Sequence, residues 1–212
     1  MITLTAGEIG LLVGGEMHCD KDLLVSKAPV FDSRKATPGC IFLALQGEVV
    51  DGHDYAADAY RAGAMFSLTT KRIDGPCIVV EDVIEALSIL ATFVRKRLTN
   101  LTVIGITGSQ GKTSTKDLMS HMLSAVGPTV SPAGSFNNDL GLPITLLECD
   151  EKTSFCILEM GARHTGDIAR LCSIAQPNIG VVLTVGAAHL GEFGSVEAIA
   201  RTKSELIQGL NA

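Results

Sequence analysis

The chain has 212 residues, which is enough for one large or two modest domains. Hydrophobic residues make up 46% of it and aromatic residues only 4%, so the core must be aliphatic, which favours an α/β fold over a β-sandwich. The formal net charge of −6 argues against a nucleic-acid partner, because such binding relies on a basic surface. No run approaches transmembrane length and no secretory signal is recognisable, so we expect a cytoplasmic protein without a membrane partner.

Six cysteines are scattered along the chain, and none forms a C-x-x-C pair. Most lie in apolar runs, so we expect buried thiols in a reducing compartment and no structural zinc site. The six are Cys19, Cys40, Cys77, Cys149, Cys156 and Cys172.

Residues 1–82 predict a compact α/β unit. Its first helix is expected at 5–13, because Thr5 and Glu8 have the spacing of a capping box. Apolar runs between turn residues then indicate an extended segment at 30–34, a strand at 40–45, a loop at 46–53, a helix at 54–62 and strands at 65–69 and 76–80.

A second domain is expected over residues 83–212, and it begins with a helix at 83–98. Strands that begin at 102, 129, 154 and 179 then alternate with helices that begin near 112, 139, 165 and 195. Such alternation predicts an α/β fold with a mostly parallel sheet flanked by helices. The helix after residue 112 is expected to bury an apolar stripe of Leu118, Met119, Met122, Leu123 and Val126.

The segment T-V-I-G-I-T-G-S-Q-G-K-T-S at 102–114 predicts a strand, a glycine-rich turn and the start of a helix. Gly108 and Gly111 let successive backbone N–H groups point into one concavity, which the positive end of the helix dipole also faces. Lys112 supplies a charge suited to β- and γ-phosphates, and the Thr113 hydroxyl can bind Mg²⁺. The spacing differs from the general G-x-x-x-x-G-K-[ST] pattern, but the strand–turn–helix context favours a phosphate-binding loop.

Five further polar residues are candidates for the same site. Glu159 and His189 each follow a predicted strand, and open α/β sheets bind ligands at that edge. A carboxylate placed there suits Mg²⁺. Lys203 lies in a predicted helix, where an exposed face is the ordinary place for a lysine. Asn137 and Asn138 precede a helix, and they would either cap it or offer amides to a phosphate or metal ion.

Several motifs in the right order resemble the Mur ligases, the ATP-dependent amide-forming enzymes of peptidoglycan precursor synthesis. T-G-S-Q-G-K-T-S-T-K resembles their ATP loop, and D-S-R-K-A-T-P-G-C-I-F-L-A-L-Q-G with D-G-H-D-Y resembles their N-terminal nucleotide-sugar domain. Thr115-Lys116, F-N-N-D-L-G-L-P-I-T-L-L and L-E-M-G-A-R-H-T-G-D-I are similar to the branch that adds D-alanyl-D-alanine to UDP-N-acetylmuramoyl-tripeptide. The resemblance covers essentially the whole chain.

The resemblance implies a role for each matching residue. Residues 1–82 would bind the UDP-muramoyl-peptide, and residues 83–212 would be a truncated ATP-binding domain. Lys203 would be carbamoylated into an anionic ligand and would act in catalysis with Lys112 and His189. Two Mg²⁺ ions would be held by Thr113, Glu159, His189 and Lys203. ATP would contact Thr107, Gly108, Ser109, Gln110, Gly111, Lys112, Thr113, Asn137 and Asn138, and the UDP substrate would contact Ser33, Arg34, Gly47 and Glu48.

The implied reaction forms an amide through an acyl phosphate. ATP would phosphorylate the peptide carboxylate, the amine of D-alanyl-D-alanine would attack, and the tetrahedral intermediate would collapse to the amide. Alignment of the anions, and their neutralisation by Mg²⁺ and Lys112, would supply most of the catalysis.

Two short segments and the length depart from the family. The family usually has Asn at the position of Thr184, and Asn-His-Pro in place of Arg163-His164-Thr165, but neither change removes a proposed ligand. Mur ligases have three domains, and the resemblance ends within the second, without the C-terminal domain. We therefore expect these 212 residues to behave as a monomeric fragment that binds UDP-substrate or nucleotide weakly and does not turn over.

Three other functions share some of these sequence features. The neighbouring branch of the family, which adds the third residue of the stem peptide, shares D-S-R and D-G-H, whereas Asn137-Asn138 and E-M-G-A favour the D-alanyl-D-alanine branch. A nucleotide-binding switch without ligase activity would be expected to contain an N-K-x-D motif that recognises the base, and the sequence lacks this motif. A polyglutamate-forming ligase is disfavoured by the D-S-R segment of the N-terminal domain.

Overall fold

The computed structural model describes residues 1–186 and 190–210, and it divides into two compact units, Met1–Leu90 and Ala91–Ala212. Each unit is an α/β structure with its own four-stranded sheet, which confirms the predicted fold class. No helix among the described residues has both the length and the apolar character needed to span a membrane.

Within residues 1–82, all of which are described, the first unit contains six strands and two α-helices. They are β1 (Leu4–Thr5), α1 (Ala6–Val13), β2 (Glu16–His18), β3 (Leu24–Val25), β4 (Ile41–Leu43), α2 (Ala56–Ala62), β5 (Phe66–Thr69) and β6 (Cys77–Val79). Strands β4, β5 and β6 are parallel, β2 pairs antiparallel with β6 at one edge, and β1 and β3 form a separate antiparallel pair. Helix α1 begins as predicted, because Thr5 Oγ1 accepts a hydrogen bond from Glu8 N at 3.1 Å while the Glu8 carboxylate accepts one from Thr5 N at 2.8 Å.

The second unit contains an all-parallel, four-stranded sheet. Helix α3 (Val83–Arg97) contributes residues to both units, because the boundary falls after Leu90. The elements that follow it are β7 (Thr102–Thr107), α4 (Lys112–Ser124), β8 (Thr129–Val130), α5 (Gly141–Leu147), β9 (Phe155–Glu159), α6 (Asp167–Ala175), β10 (Ile179–Val182), α7 (Leu190–Phe193) and α8 (Val196–Gln208). The strand order is β10-β7-β9-β8, so β7 and β9 lie at the centre of the sheet. Two helix starts were predicted two residues early, and the short helix α7 was not predicted.

The predicted buried stripe of α4 is only partly correct. Met119 and Leu123 pack against a buried cluster of Ile104, Ile106 and Ile157. The other three members of the stripe are exposed. A helix lying on a sheet buries one narrow face, and two of these residues fall beside it, whereas the third, Val126, lies beyond the end of α4. The three are Leu118, Met122 and Val126, which are 67%, 68% and 76% exposed.

All six cysteines are free thiols, and all except Cys19 are buried. This confirms the expectation of buried thiols. Burial raises the pKa of the Cys172 thiol to about 11, so this group remains protonated at neutral pH.

Candidate nucleotide-binding site

The site lies at the carboxyl edge of the second sheet. Parallel registers place Ile106 opposite Glu159 and Thr107 opposite Val182, so β7, β9 and β10 end together. Thr107 is fully buried, and its hydroxyl donates to the Met160 carbonyl at 2.9 Å. Its side chain therefore ties the end of β7 to the end of β9, immediately before the glycine-rich turn.

The turn between β7 and α4 has the backbone that its glycines predicted. Gly111 has a φ of 84°, in the left-handed region, and forms the N-cap of α4. A Cβ added at Gly108 would lie 2.7 Å from the Leu183 Cβ, so this position has no room for a side chain. Lys112 opens the helix and donates from Nζ to the Gly108 carbonyl at 2.7 Å, which keeps its charge at the loop.

Glu159 is the strongest indication of a cation site. Its side chain is fully buried, and its Oε2 accepts a hydrogen bond from Thr113 Oγ1 at 3.3 Å. Its Oε1 is also buried, and none of the described residues forms a hydrogen bond with it. A buried carboxylate oxygen left in this way is unfavourable unless another group, such as a metal ion, satisfies it.

A cavity of about 320 Å³ lies beside this carboxylate. Among the described residues, no group of three or more His, Cys, Asp or Glu side chains could hold a metal ion. The donor set of one carboxylate and one hydroxyl nevertheless fits Mg²⁺, which keeps several waters and binds through few protein ligands plus phosphate oxygens. The cavity is lined by Gly111, Lys112, Thr113, Ser114, Ser135, Asn137 and Glu159.

Lys203 of α8 is buried, with 7% of its surface exposed, in contrast to the exposed place that its helix position suggests. Burial and the nearby charge of Lys112 lower the pKa of the Lys203 ammonium. Helix α8 is fastened to α6 by Glu205, whose carboxylate accepts N–H groups from Gly166 at 2.8 Å and Ala169 at 3.0 Å. The fold thus brings Lys203 close enough to Lys112, at the end of the glycine-rich turn, for the two charges to interact.

The two asparagines take different positions. Asn138 caps α5, because its Oδ1 accepts a hydrogen bond from Gly141 N at 2.9 Å, and it does not line the cavity. Asn137 does line the cavity, and its backbone carbonyl accepts a hydrogen bond from Gly161 N at 2.8 Å. A Cβ at Gly161 would lie 2.9 Å from the Asn137 Cγ, so the glycine makes room for this side chain.

The remaining predicted nucleotide residues lie in or beside the loop. Ser109 bonds to the backbone of Gly186 twice, donating to its carbonyl at 3.1 Å and accepting from its N–H at 2.9 Å. This serine therefore joins the loop after β7 to the segment after β10. Gln110 is exposed, and His189 lies outside the described residues.

The four predicted UDP-substrate residues lie in the first unit, in two segments. Ser33 and Arg34 were expected in extended chain but form a 3₁₀ turn, Ser33–Lys35, because Asp32 accepts the Arg34 N–H at 3.1 Å and caps it. Asp32 also accepts from Arg34 Nε at 2.9 Å and Nη2 at 2.7 Å. Gly47 and Glu48 are exposed in a loop closed by the bond from Gly47 N to the Val50 carbonyl at 2.9 Å.

Sequence reasoning missed two residues that line the nucleotide cavity, Ser114 and Ser135. Ser114 follows the motif directly and could have been included on spacing alone. Ser135 comes 22 residues after Thr113, and its Oγ lies 3.3 Å from the Thr113 Oγ1. Only the packing of the segment after β8 against α4 places it there, and no local pattern signals that contact.

Comparison with known proteins agrees with this geometry. Residues 106–212 match the Mur ligase middle domain, and residues 30–95 match a domain described as Mur ligase family, catalytic domain. A Mycobacterium tuberculosis H37Rv protein named UDP-N-acetylmuramoyl-tripeptide--D-alanyl-D-alanine ligase is 48% identical over 238 residues, covering 99% of this chain and 47% of the relative.

Solved structures give the same result. MurF from Acinetobacter baumannii superposes with a TM-score of 0.89 at 36% identity, covering 99% of this chain and 47% of that protein. MurF ligase from Thermotoga maritima in complex with ADP has a TM-score of 0.78 at 36% identity, covering 91% of this chain and 45% of that protein. The chain spans about half the length of the curated relatives it matches. Since the middle-domain match alone takes in half of its residues, this chain belongs to the Mur ligase family.

Proposed function

We propose that this chain carries the nucleotide site, and part of the substrate site, of an ATP-dependent ligase that joins D-alanyl-D-alanine to UDP-N-acetylmuramoyl-tripeptide. The names of its relatives supply the reaction. The observation that carries the proposal is the buried, unpartnered Oε1 of Glu159 beside Thr113 and the glycine-rich turn. A buried carboxylate oxygen without a hydrogen-bond partner destabilises the fold, so stability does not explain its presence. A cation bound together with a nucleotide would satisfy this oxygen.

Different residues of the loop would contact different parts of MgATP. The N–H groups in the first turn of α4 have no partners within the helix, and they would donate to the phosphates. Lys112 would neutralise phosphate charge, and Thr113 with Glu159 would hold Mg²⁺. The bound ion would reduce the repulsion between the phosphates and an approaching carboxylate. Asn137 would contribute its amide at the same cavity.

Lys203 would be carbamoylated, and would then hold a second Mg²⁺ with His189. A lowered pKa leaves more of the amine neutral at a given pH, and the neutral amine is the form that attacks carbon dioxide. In that step the Nζ–C bond forms, a proton leaves the nitrogen, and the side chain gains a negative charge. The ammonium of Lys112 would stabilise this new anion.

Ser33, Arg34, Gly47 and Glu48 would face the UDP part of the substrate, as the family resemblance implies. The capped 3₁₀ turn supports this assignment, because it presents the side chain of Arg34 to solvent, 86% exposed, while two hydrogen bonds to Asp32 fix its direction. D-alanyl-D-alanine would be the incoming amine.

The test is the substitution Glu159→Gln, followed by titration of ATP in calorimetry with and without Mg²⁺. The wild-type chain should bind ATP more tightly when Mg²⁺ is present. E159Q should lose about tenfold or more of that Mg²⁺-dependent affinity, because it removes the charge that would hold the ion. Its melting temperature without ligand should not fall, since the replaced oxygen has no partner to lose.

Glu197→Gln is the matched control, because Glu197 is an exposed residue of α8. This variant should bind MgATP like the wild type. A wild-type chain that binds no nucleotide, or an E159Q chain with unchanged dependence on Mg²⁺, would contradict the proposal.

A further inference from the structure

Lys116 in α4 is buried although it carries an ammonium group. Only 3% of its side chain is exposed. Its Nζ donates to the Pro132 carbonyl at 2.7 Å and pairs with the Asp117 carboxylate at 2.7 Å. Removing a lysine charge from water is unfavourable, and an aliphatic residue would fill the same space. What the lysine adds is a directed hydrogen bond to the backbone of the segment that follows β8.

That segment, residues 131–135, is fastened to α4 at three points. Ser120 and Ser131 hydroxyls lie 2.9 Å apart, Lys116 holds the Pro132 carbonyl, and the Ser135 hydroxyl lies 3.3 Å from that of Thr113. Positions 113, 116 and 120 share one face of a helix. The segment therefore runs along this face of α4 towards the phosphate loop, and Lys116 provides its central, buried attachment.

Ser135 lies where this segment reaches the site. It lines the cavity together with Thr113 and Glu159. The Thr113 hydroxyl is 3.3 Å from both the Ser135 hydroxyl and Glu159 Oε2, so the three groups form a connected chain. The unpartnered Oε1 of Glu159 belongs to the same cavity and independently indicates a ligand there. A serine hydroxyl in this place can donate to a phosphate oxygen.

We infer that Ser135 is a further phosphate-binding residue of the nucleotide site, and that Lys116 is the positioning residue that holds Ser135 there. The inference rests on the proposed function, since it needs a nucleotide in the cavity. Lys116 would hold the backbone of residues 131–135 in place and would not itself contact the nucleotide.

The test is a double-mutant cycle on MgATP affinity with K116M, S135A and the combined variant. Each single substitution should weaken binding about tenfold, the effect of losing one hydrogen bond to a charged group. The combined variant should bind no more weakly than K116M alone, because K116M already displaces Ser135. A purely structural role for Lys116 would lower the melting temperature, and its effect on affinity would not be coupled to Ser135.

Two matched controls are available in the same unit. Ser124→Ala removes an exposed hydroxyl at the other end of α4, and Lys152→Met removes an exposed ammonium; both should leave MgATP affinity unchanged. Ser135 is itself exposed, so S135A should fold like the wild type. The MgATP affinity of S135A therefore tests the binding role of Ser135 even if K116M is unstable. In that case K116Q takes its place in the cycle.

The outcomes separate the two proposals. If the wild-type chain does not bind MgATP, the proposed function and this inference both fail. If the wild type binds and S135A binds equally well, only the inference fails. If the losses of K116M and S135A multiply in the combined variant, Lys116 does not act through Ser135, and its positioning role is refuted.

Discussion

Glu159 and Lys203 each place an ionisable group in the interior of the second unit, with 0% and 7% of their surfaces exposed. One carboxylate oxygen of Glu159 is buried and has no hydrogen-bond partner among the described residues. Burial and the charge of Lys112 lower the pKa of the Lys203 ammonium. At the scale of single residues, the unsatisfied oxygen of Glu159 distinguishes the candidate site from the rest of the described core.

Asp32 offers a prediction on pH dependence. The hydrogen bond from Arg34 lowers the pKa of the Asp32 carboxyl from 3.8 to about 2. A carboxyl whose pKa is lower in the folded state stabilises the fold above its unfolded pKa, and this contribution disappears as the pH falls through the folded pKa. The free energies of unfolding of the wild type and D32N should therefore differ at neutral pH and converge between pH 3.8 and about 2.

Urea unfolding at a series of pH values measures this difference. Asp74→Asn is the control, because Asp74 is an exposed aspartate of the same unit. A difference between wild type and D32N that stays constant down to pH 2 would show that the Arg34 clamp does not stabilise the fold.

At the scale of elements, α4 shows why an apolar pattern alone does not orient a helix. The helix carries four apolar residues, at 118, 119, 122 and 123, and they are too many for the narrow face that a helix turns to a sheet. Contact with the isoleucine cluster of β7 and β9 selects Met119 and Leu123 for burial. The polar face that remains carries Lys116 and Ser120 against the segment after β8.

Two neighbouring residues of α4 should therefore differ sharply in their effect on stability. Leu123→Ala should lower the free energy of unfolding by about 2 kcal/mol, because it leaves a gap against the isoleucine cluster. Met122→Ala should change it by less than about 0.5 kcal/mol, since this side chain is 68% exposed. Chemical denaturation of both variants measures the difference, and equal losses would show that the orientation of α4 is wrong.

At the scale of the whole molecule, Arg95 connects parts of the second unit that are distant in sequence. Its buried guanidinium donates to the carbonyls of Ala175 at 3.0 Å, Leu98 at 3.2 Å and Gln176 at 3.1 Å. It also donates to the Asn178 side chain at 3.0 Å, whose oxygen accepts the Val103 N–H at 2.9 Å. One side chain thus joins α3, the end of α6 and the starts of β10 and β7.

Arg95→Met should lower the free energy of unfolding by about 3 kcal/mol, because it leaves several buried acceptors without donors. Lys96→Met is the control, since Lys96 is adjacent and exposed, and it should have almost no effect. Urea unfolding followed by circular dichroism measures both. A loss in R95M no larger than that in K96M would mean that water or other donors satisfy these carbonyls.

The sequence by itself determined the features that depend on neighbours a few residues apart. The capping box of Thr5 and Glu8, the left-handed Gly111 and the alternation of strands and helices all follow from local backbone chemistry. The glycine-rich turn, with Lys112 and Thr113 at the start of α4, was predictable for the same reason. The family was predictable because its motifs occur in order along the chain.

Tertiary structure alone decided which of these residues lie close together. The unpartnered oxygen of Glu159, the burial of Lys203 and the contact of Ser135 with Thr113 depend on segments that are far apart in sequence. Burial and hydrogen-bond satisfaction are properties of the packed chain, because each depends on every group that comes near. The strands β1, β2 and β3 escaped prediction likewise, because their pairings, β1 with β3 and β2 with β6, join segments that are separated in sequence.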